Sequence, residues 1–249
     1  MNCPVVNLRY PENGIAMVEM IDKVAHNTFS HALITGLTTV FAEIKQNTDI
    51  KVVLIHGYDN YFCCGGTQEE LMNIFSGKIT FNELDFYRLL LDCEIPVIAA
   101  MQGHGIGGGL VFACYADMMV LAEEAIYSAN FMKYGFTPGM GGTYMIPYKF
   151  GPTIGHELLY TANTYQGGVL REKGVPIPVV KKADVLSKAL QLARQLADKP
   201  RGSLKILKHH FMQDIRAKLP SIIEQELVMH SETFHQPEVK QRIEALFSQ

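Results

Sequence analysis

The period of the apolar positions changes several times along the chain. Residues 5–9 and 15–21 read as strands, and Pro11-Glu12-Asn13-Gly14 between them has the composition of a hairpin turn. Leu33, Ile34, Leu37, Val40, Phe41 and Ile44 then recur at helical spacing, with Asn27 or Ser30 available as N-cap. The short apolar run 52–55, closed by Gly57, predicts a buried strand of the parallel type. Residues 95–101 predict another strand, 107–115 a short helix and 118–122 a further strand. The C-terminal part is helical in pattern, over 153–161, 183–197, 202–214 and 221–234. Strands alternating with helices, followed by a helical tail, define an α/β core with an appended helical segment.

Composition narrows the functional classes. The chain has 249 residues, 48% apolar and 19% charged, with a formal net charge of −3. That balance suits a soluble globular protein and excludes a nucleic-acid groove, which needs a basic face. The cluster Lys205, Lys208, His209 and His210 is small enough to read as a solvated helix face. Five cysteines without framework spacing read as small buried residues in a reducing compartment, and the adjacent Cys63 and Cys64 lack the gap of a metal or redox motif. The first residues carry no basic region followed by an apolar run, so no signal peptide is expected. Residues 95–116 hold no Asp, Glu, Lys or Arg and are long enough for a bilayer. Their glycines would leave backbone groups unpaired in lipid, so the stretch is expected to be a buried strand, turn and helix. A cytoplasmic protein is expected, with neither membrane nor nucleic acid as partner.

Two glycine turns are the candidate chemistry. The first is Tyr61-Phe62-Cys63-Cys64-Gly65-Gly66-Thr67, and the second is Gly103-His104-Gly105-Ile106-Gly107-Gly108-Gly109 before a short helix. Glycine lets backbone approach a ligand closely. Two such turns at neighbouring strand ends can each aim one N–H at a single oxygen, the second aided by a helix N-terminus. Such a pair serves acyl chemistry, each donor being worth about 3–4 kcal/mol in the transition state. Gly103-x-Gly105-x-x-Gly108, with Glu123 and Glu124 downstream, also matches a dinucleotide fingerprint formally. Its helix is too short for a dinucleotide-binding unit, and no second half follows. His104 reads as a brace within its loop.

Taken together, Tyr61-Phe62-Cys63-Cys64-Gly65-Gly66, Pro96-Val97-Ile98-Ala99-Ala100-Met101-Gln102-Gly103, Gly107-Gly108-Gly109 and Gly135-Phe136-Thr137-Pro138-Gly139-Met140-Gly141-Gly142 resemble the crotonase (enoyl-CoA hydratase/isomerase) superfamily over nearly the whole chain. The resemblance implies a spiral of ββα units over residues 1–195. It implies a helical region over 196–249 that covers the site and joins copies into a homotrimer or hexamer. The oxyanion donors would be the N–H groups of Gly66 and Gly108. Val111 and Phe131 stand where hydratases of this family carry their two glutamates. Water addition needs a positioned acid and base, which neither side chain can be.

Asp92-Cys93-Glu94-Ile95-Pro96, the segment from Asn130 to Pro138, and Gln225-Glu226-Leu227-x-x-His230 resemble more narrowly the crotonase-type decarboxylases of polyketide β-branching cassettes. That likeness implies a 3-methylglutaconyl thioester on an acyl carrier protein, converted to the 3-methylcrotonyl thioester and carbon dioxide with no metal or organic cofactor. The electrons left behind form a dienolate on the thioester, so a proton donor is the remaining need. Ile223, Leu227, His230 and Phe234 share one helix face, which turns the imidazole inward. An ordinary histidine pKa near ~6.5 would suit proton exchange at neutral pH. A satisfied core histidine is the bland reading, and the family likeness favours His230 as proton donor. Gln68, Tyr87, Val111 and Phe131 are the expected substrate-facing residues. An isomerase or atypical hydratase, and a non-catalytic thioester-binding protein, remain the alternatives.

Overall fold

The structure, a computed structural model, describes residues 5–78 and 85–247; Cys3 lies outside them. The chain opens with the hairpin β1 (Val6–Glu12) and β2 (Ile15–Met20), then α1 (His31–Gln46), β3 (Val52–His56), β4 (Tyr61–Cys63) and α2 (Gln68–Phe75). A 3₁₀ turn at Asp85–Arg88 leads into α3 (Leu89–Asp92), β5 (Val97–Met101), β6 (His104–Ile106) and α4 (Gly108–Cys114). Next come β7 (Met118–Ala122), β8 (Ile126–Ser128), α5 (Phe131–Tyr134), α6 (Gly142–Phe150) and α7 (Pro152–Thr161). The remainder is β9 (Thr164–Gln166), α8 (Gly167–Glu172), β10 (Val179–Val180), α9 (Lys182–Ala197), α10 (Arg201–Thr233) and α11 (Pro237–Phe247).

Six strands form one sheet in the order β1-β2-β3-β5-β7-β10, parallel except for the opening hairpin. Four three-residue strands form a second sheet, β4-β6-β8-β9. The chain therefore visits the large sheet, the small sheet and a helix in turn, as β3-β4-α2, β5-β6-α4 and β7-β8-α5. This is the expected spiral of ββα units. Every residue of β3 and β5 is buried, as parallel strands covered on both faces require. Ser30 caps α1 by accepting from the N–H of Leu33, while Asn27 instead ties two loops to the carbonyls of Met20 and Phe62. The uncharged stretch 95–116 resolves into β5, a turn with β6, and α4. No helix among the described residues is long and apolar enough to cross a membrane.

Two expectations are corrected here. The helices expected at 202–214 and 221–234 are one helix, α10, which runs through Pro220. Proline inside a helix costs about 3 kcal/mol. Ile215 and Leu219 before it, and Glu226 and His230 after it, are all buried, so both halves are held to one body. Lys208 is not part of a solvated face. Its ammonium is buried, donates to the carbonyls of Leu90 and Ile95 at 2.9 and 3.1 Å, and meets Asp117 at 2.8 Å. Lys208→Ala is expected to cost about 3 kcal/mol or more, because it strands a partly buried carboxylate and two carbonyls. Lys205→Ala breaks an exposed pair with Glu94 and is expected to cost under about 1 kcal/mol. Chemical denaturation of both variants checks the contrast.

Candidate active site

Gly65 and Gly66 follow β4, and Gly107 and Gly108 follow β6, its parallel neighbour in the small sheet. The two turns touch. A Cβ on Gly65, whose φ is +79°, would lie 2.8 Å from the carbonyl oxygen of Ile106 and 3.1 Å from the nitrogen of Gly108. The turn at Gly107 is fixed by its N–H, which donates to the Ser128 carbonyl at 2.7 Å. His104 braces the same loop as expected: its Nδ1 accepts from the N–H of Ile126 at 3.0 Å. Among the described residues, neither the N–H of Gly66 nor that of Gly108 donates to another group of the chain. Both glycines line one narrow cavity of ≈ 40 Å³, together with Phe29, Glu70, Leu71, Ile74, Phe131, Phe136 and Met140. The arrangement offers two backbone donors at one end of an apolar pocket, the geometry an acyl oxyanion needs.

The dinucleotide reading finds no support. The helix after the glycines has only seven residues. Glu123 pairs with Arg171 and Lys181, and Glu124 accepts from the N–H of Lys182. Two larger surface hollows, of ≈ 260 and ≈ 300 Å³, share Asp92 and Glu94 and include neither glycine turn.

Of the expected site residues, Gly66, Gly108 and Phe131 meet in the cavity. Val111 is fully buried one layer back, its Cγ2 3.1 Å from where a Cβ on Gly142 would lie. Tyr87 is also buried outside the cavity wall, its ring 5.6 Å from that of Tyr115. Gln68 is the exposed first residue of α2 and does not line the cavity.

His230 is inward, as its helix face predicts, and stands behind Phe136, with ring centroids 6.2 Å apart. Its Nε2 lies 2.6 Å from the carbonyl of Thr137, and its ring fills the space beside Gly139, where a Cβ would come within 2.5 Å of Cε1. The expected ordinary pKa is corrected. Burial pulls it down to about 4, against the opposing hydrogen bond to Thr137, so the imidazole is neutral at pH 7.

Three features at or near the cavity were assigned no role from the sequence, although Glu226 and Met140 stand in the motifs quoted above. Glu70 reaches the cavity from α2. Thr67 caps that helix in a reciprocal box with Glu70, and the Thr67-x-x-Glu70 spacing was the available signal. Glu226 crosses from α10 to the start of α6, accepting from the N–H groups of Gly141 and Thr143 at 2.7 and 2.9 Å and from the Thr143 hydroxyl at 2.6 Å. Met140 completes the cavity wall at a φ of +61°, its carbonyl held by the Tyr115 hydroxyl at 2.6 Å.

A spiral of ββα units with two adjacent glycine turns at the ends of small-sheet strands defines the crotonase fold. The chain belongs to the enoyl-CoA hydratase/isomerase family, whose model it matches over residues 11–247. It is 50% identical to the bacillaene synthase decarboxylase PksI of Bacillus subtilis, over 99% of both chains. Among solved structures, it superposes with a TM-score of 0.96 on a member of a dehydratase/decarboxylase enzyme couple involved in polyketide beta-branching, at 50% identity over 98% of this chain and 100% of that one. The ECH2 decarboxylase domain of CurF from Lyngbya majuscula matches with a TM-score of 0.95 at 44% identity, over 98% of this chain and 99% of that one.

Proposed function

We propose that this chain removes carbon dioxide from a 3-methylglutaconyl thioester carried on an acyl carrier protein and releases the 3-methylcrotonyl thioester. The chain is a crotonase-family decarboxylase of the polyketide β-branching type. The observation that carries the chemistry is the pairing of two uncommitted glycine N–H groups with apolar Phe131 in one cavity. Gly66 and Gly108 hold the thioester oxygen as it gains charge. The bond to the carboxylate breaks, its electron pair enters the dienolate, and one proton from solvent balances the loss of carbon dioxide.

His230, which stands behind the cavity-lining Phe136, delivers that proton. Its low pKa makes the imidazolium scarce at pH 7 but strongly acidic. The sign follows: the charged fraction grows as pH falls from 7 toward 5, so kcat is expected to rise by up to about tenfold per unit. His230→Gln is expected to flatten that rise, and an unchanged kcat profile in the variant would remove His230 from the mechanism. Residues 196–249 join copies into a trimer or hexamer, a reading supported by Ile206 and Phe211 standing 74% and 59% exposed on α10.

The test of the reaction is intact mass spectrometry of acyl carrier protein loaded with 3-methylglutaconate. Loss of carbon dioxide is expected. Gain of water would point to a hydratase, and no change would point to a thioester-binding protein.

A further inference from the structure

The cavity wall holds one titratable side chain among the described residues, and the sequence assigned it no role. Among the described residues, Gly66, Gly108, Phe29, Leu71, Ile74, Phe131, Phe136 and Met140 leave Glu70 as the one ionisable residue in the wall. Its two oxygens have different surroundings. Oε2 accepts from the Thr67 N–H at 2.8 Å and from the Thr67 hydroxyl at 3.1 Å. Oε1 has no partner among the described residues and is not sealed from solvent. The helix cap thus anchors one oxygen and leaves the other without a partner among the described residues. The carboxyl also sits beside a thioester-oxygen donor, since a Cβ on Gly66 would lie 3.8 Å from Oε2.

A decarboxylase must admit a substrate carboxylate into this apolar space. Gln68 faces solvent and cannot meet it there. An ionised Glu70 would repel it, whereas a neutral Glu70 offers one O–H donor to it. We infer that Glu70 in its protonated form is the recognition group for the leaving carboxylate, donating from Oε1 while Thr67 holds Oε2. The assignment rests on the decarboxylase reading.

The surroundings favour the neutral form. Burial raises the Glu70 pKa against the Thr67 hydrogen bonds, and Glu69 on the same helix adds to the rise. Cys63 and Cys64 lie close by, and burial pushes both thiols up, so both are neutral at pH 7. α11, packed on α2, brings Glu238, Lys240, Arg242 and Glu244. Arg242 is directed to the carbonyl of Lys133 and Lys240 to Glu244. His235 meets the carbonyl of Phe75 at the far end of α2, and His230 lies beyond Phe136. A carboxyl with a raised pKa is neutral at low pH and loses that form as pH rises through its pKa.

The test is KM for the 3-methylglutaconyl thioester against pH, alongside the inhibition constant of the 3-methylcrotonyl thioester, which lacks the carboxylate. In the native enzyme, KM is expected to rise with pH while the inhibition constant stays flat. Glu70→Gln keeps a neutral donor, so its KM is expected to lose the pH dependence. Glu70→Leu is expected to raise KM about tenfold or more at every pH, again sparing the inhibitor. A Glu70→Gln profile parallel to the native one, or equal losses for substrate and inhibitor in Glu70→Leu, would reduce Glu70 to a helix cap and overturn the assignment. If the native enzyme releases no carbon dioxide while both thioesters bind, the decarboxylase reading fails. The binding constants of the same thioesters in the same variants then still judge whether Glu70 recognises the carboxylate.

Discussion

Glu226→Ala is expected to lose on the order of 4 kcal/mol of unfolding free energy and most of the turnover, although Glu226 does not line the cavity. The side chain is fully buried, and its carboxylate closes three hydrogen bonds across more than eighty residues of sequence. Two of its donors are backbone N–H groups at the start of α6, where a helix N-terminus also favours negative charge. Burial pushes its pKa upward against the pull of those donors, so the group is expensive to place and costly to remove. Alanine would strand two N–H groups and a hydroxyl away from water. The consequence reaches the site through two routes. Met140, whose side chain forms cavity wall, lies between Gly139 and Gly141 in the turn that Glu226 holds. His230 lies one helical turn beyond Glu226 and packs on Gly139. Glu226→Gln keeps one acceptor but sets its amide N–H₂ against a donor, so an intermediate loss is expected. A denaturant midpoint and a turnover assay on both variants check the order. An alanine variant as stable and active as the native chain would show that α10 is held by its apolar contacts alone.

What the sequence made legible follows from length and period. The strands β2, β3, β5 and β7 of the large sheet and the long helices α1 and α9 repeat their apolar pattern for five or more residues, and each falls within two residues of its expected ends, whereas β1 runs three residues further than expected and the two-residue β10 was not expected. The small sheet was not read at all. Its strands are three residues long, too short for alternation to show, and β4 and β6 are made largely of the glycine turns' own residues. Gly66 and Gly108 were nevertheless found, because their constraint is local to each turn. Glu70 and Glu226 were given no role for the opposite reason: a carboxylate on a helix ordinarily faces water, and only tertiary contact shows that these two do not. Gln68 and Glu70 stand two positions apart, about 200° around the helix, so they lie on nearly opposite faces. As the first residue of α2, Gln68 points outward, whereas Glu70 is turned toward the cavity. His230 was assigned the right face and the wrong acidity, since a periodic pattern reports inwardness but not the absence of a compensating anion.

The second large effect is expected at Gly109, which makes no proposed contact with substrate. A Cβ there would stand 2.1 Å from the carbonyl oxygen of Cys63, 2.5 Å from its carbonyl carbon and 3.0 Å from its Cβ. The first two are backbone atoms of β4 and cannot rotate away as a side chain would. Gly109→Ala must therefore drive α4 and β4 apart. Gly66 follows β4 by three residues and Gly108 opens α4, so the same movement separates the two N–H groups proposed to converge on the thioester oxygen. Loss of one oxyanion donor lowers kcat by about 10²–10³. A fall in kcat/KM of at least about 100-fold is expected, with a lower melting temperature. Gly202→Ala supplies the control, because a Cβ there meets nothing within 4 Å near the start of α10. That change is expected to leave the melting temperature level or slightly raised, since alanine favours the helix by about 1 kcal/mol over glycine. If Gly109→Ala melted low yet kept its turnover, the spacing of the two turns would be a matter of stability alone, and the oxyanion role of Gly66 and Gly108 would fall with it. If turnover collapses while Gly202→Ala behaves as native, the close approach of α4 to β4 is what holds the two donors on one oxygen.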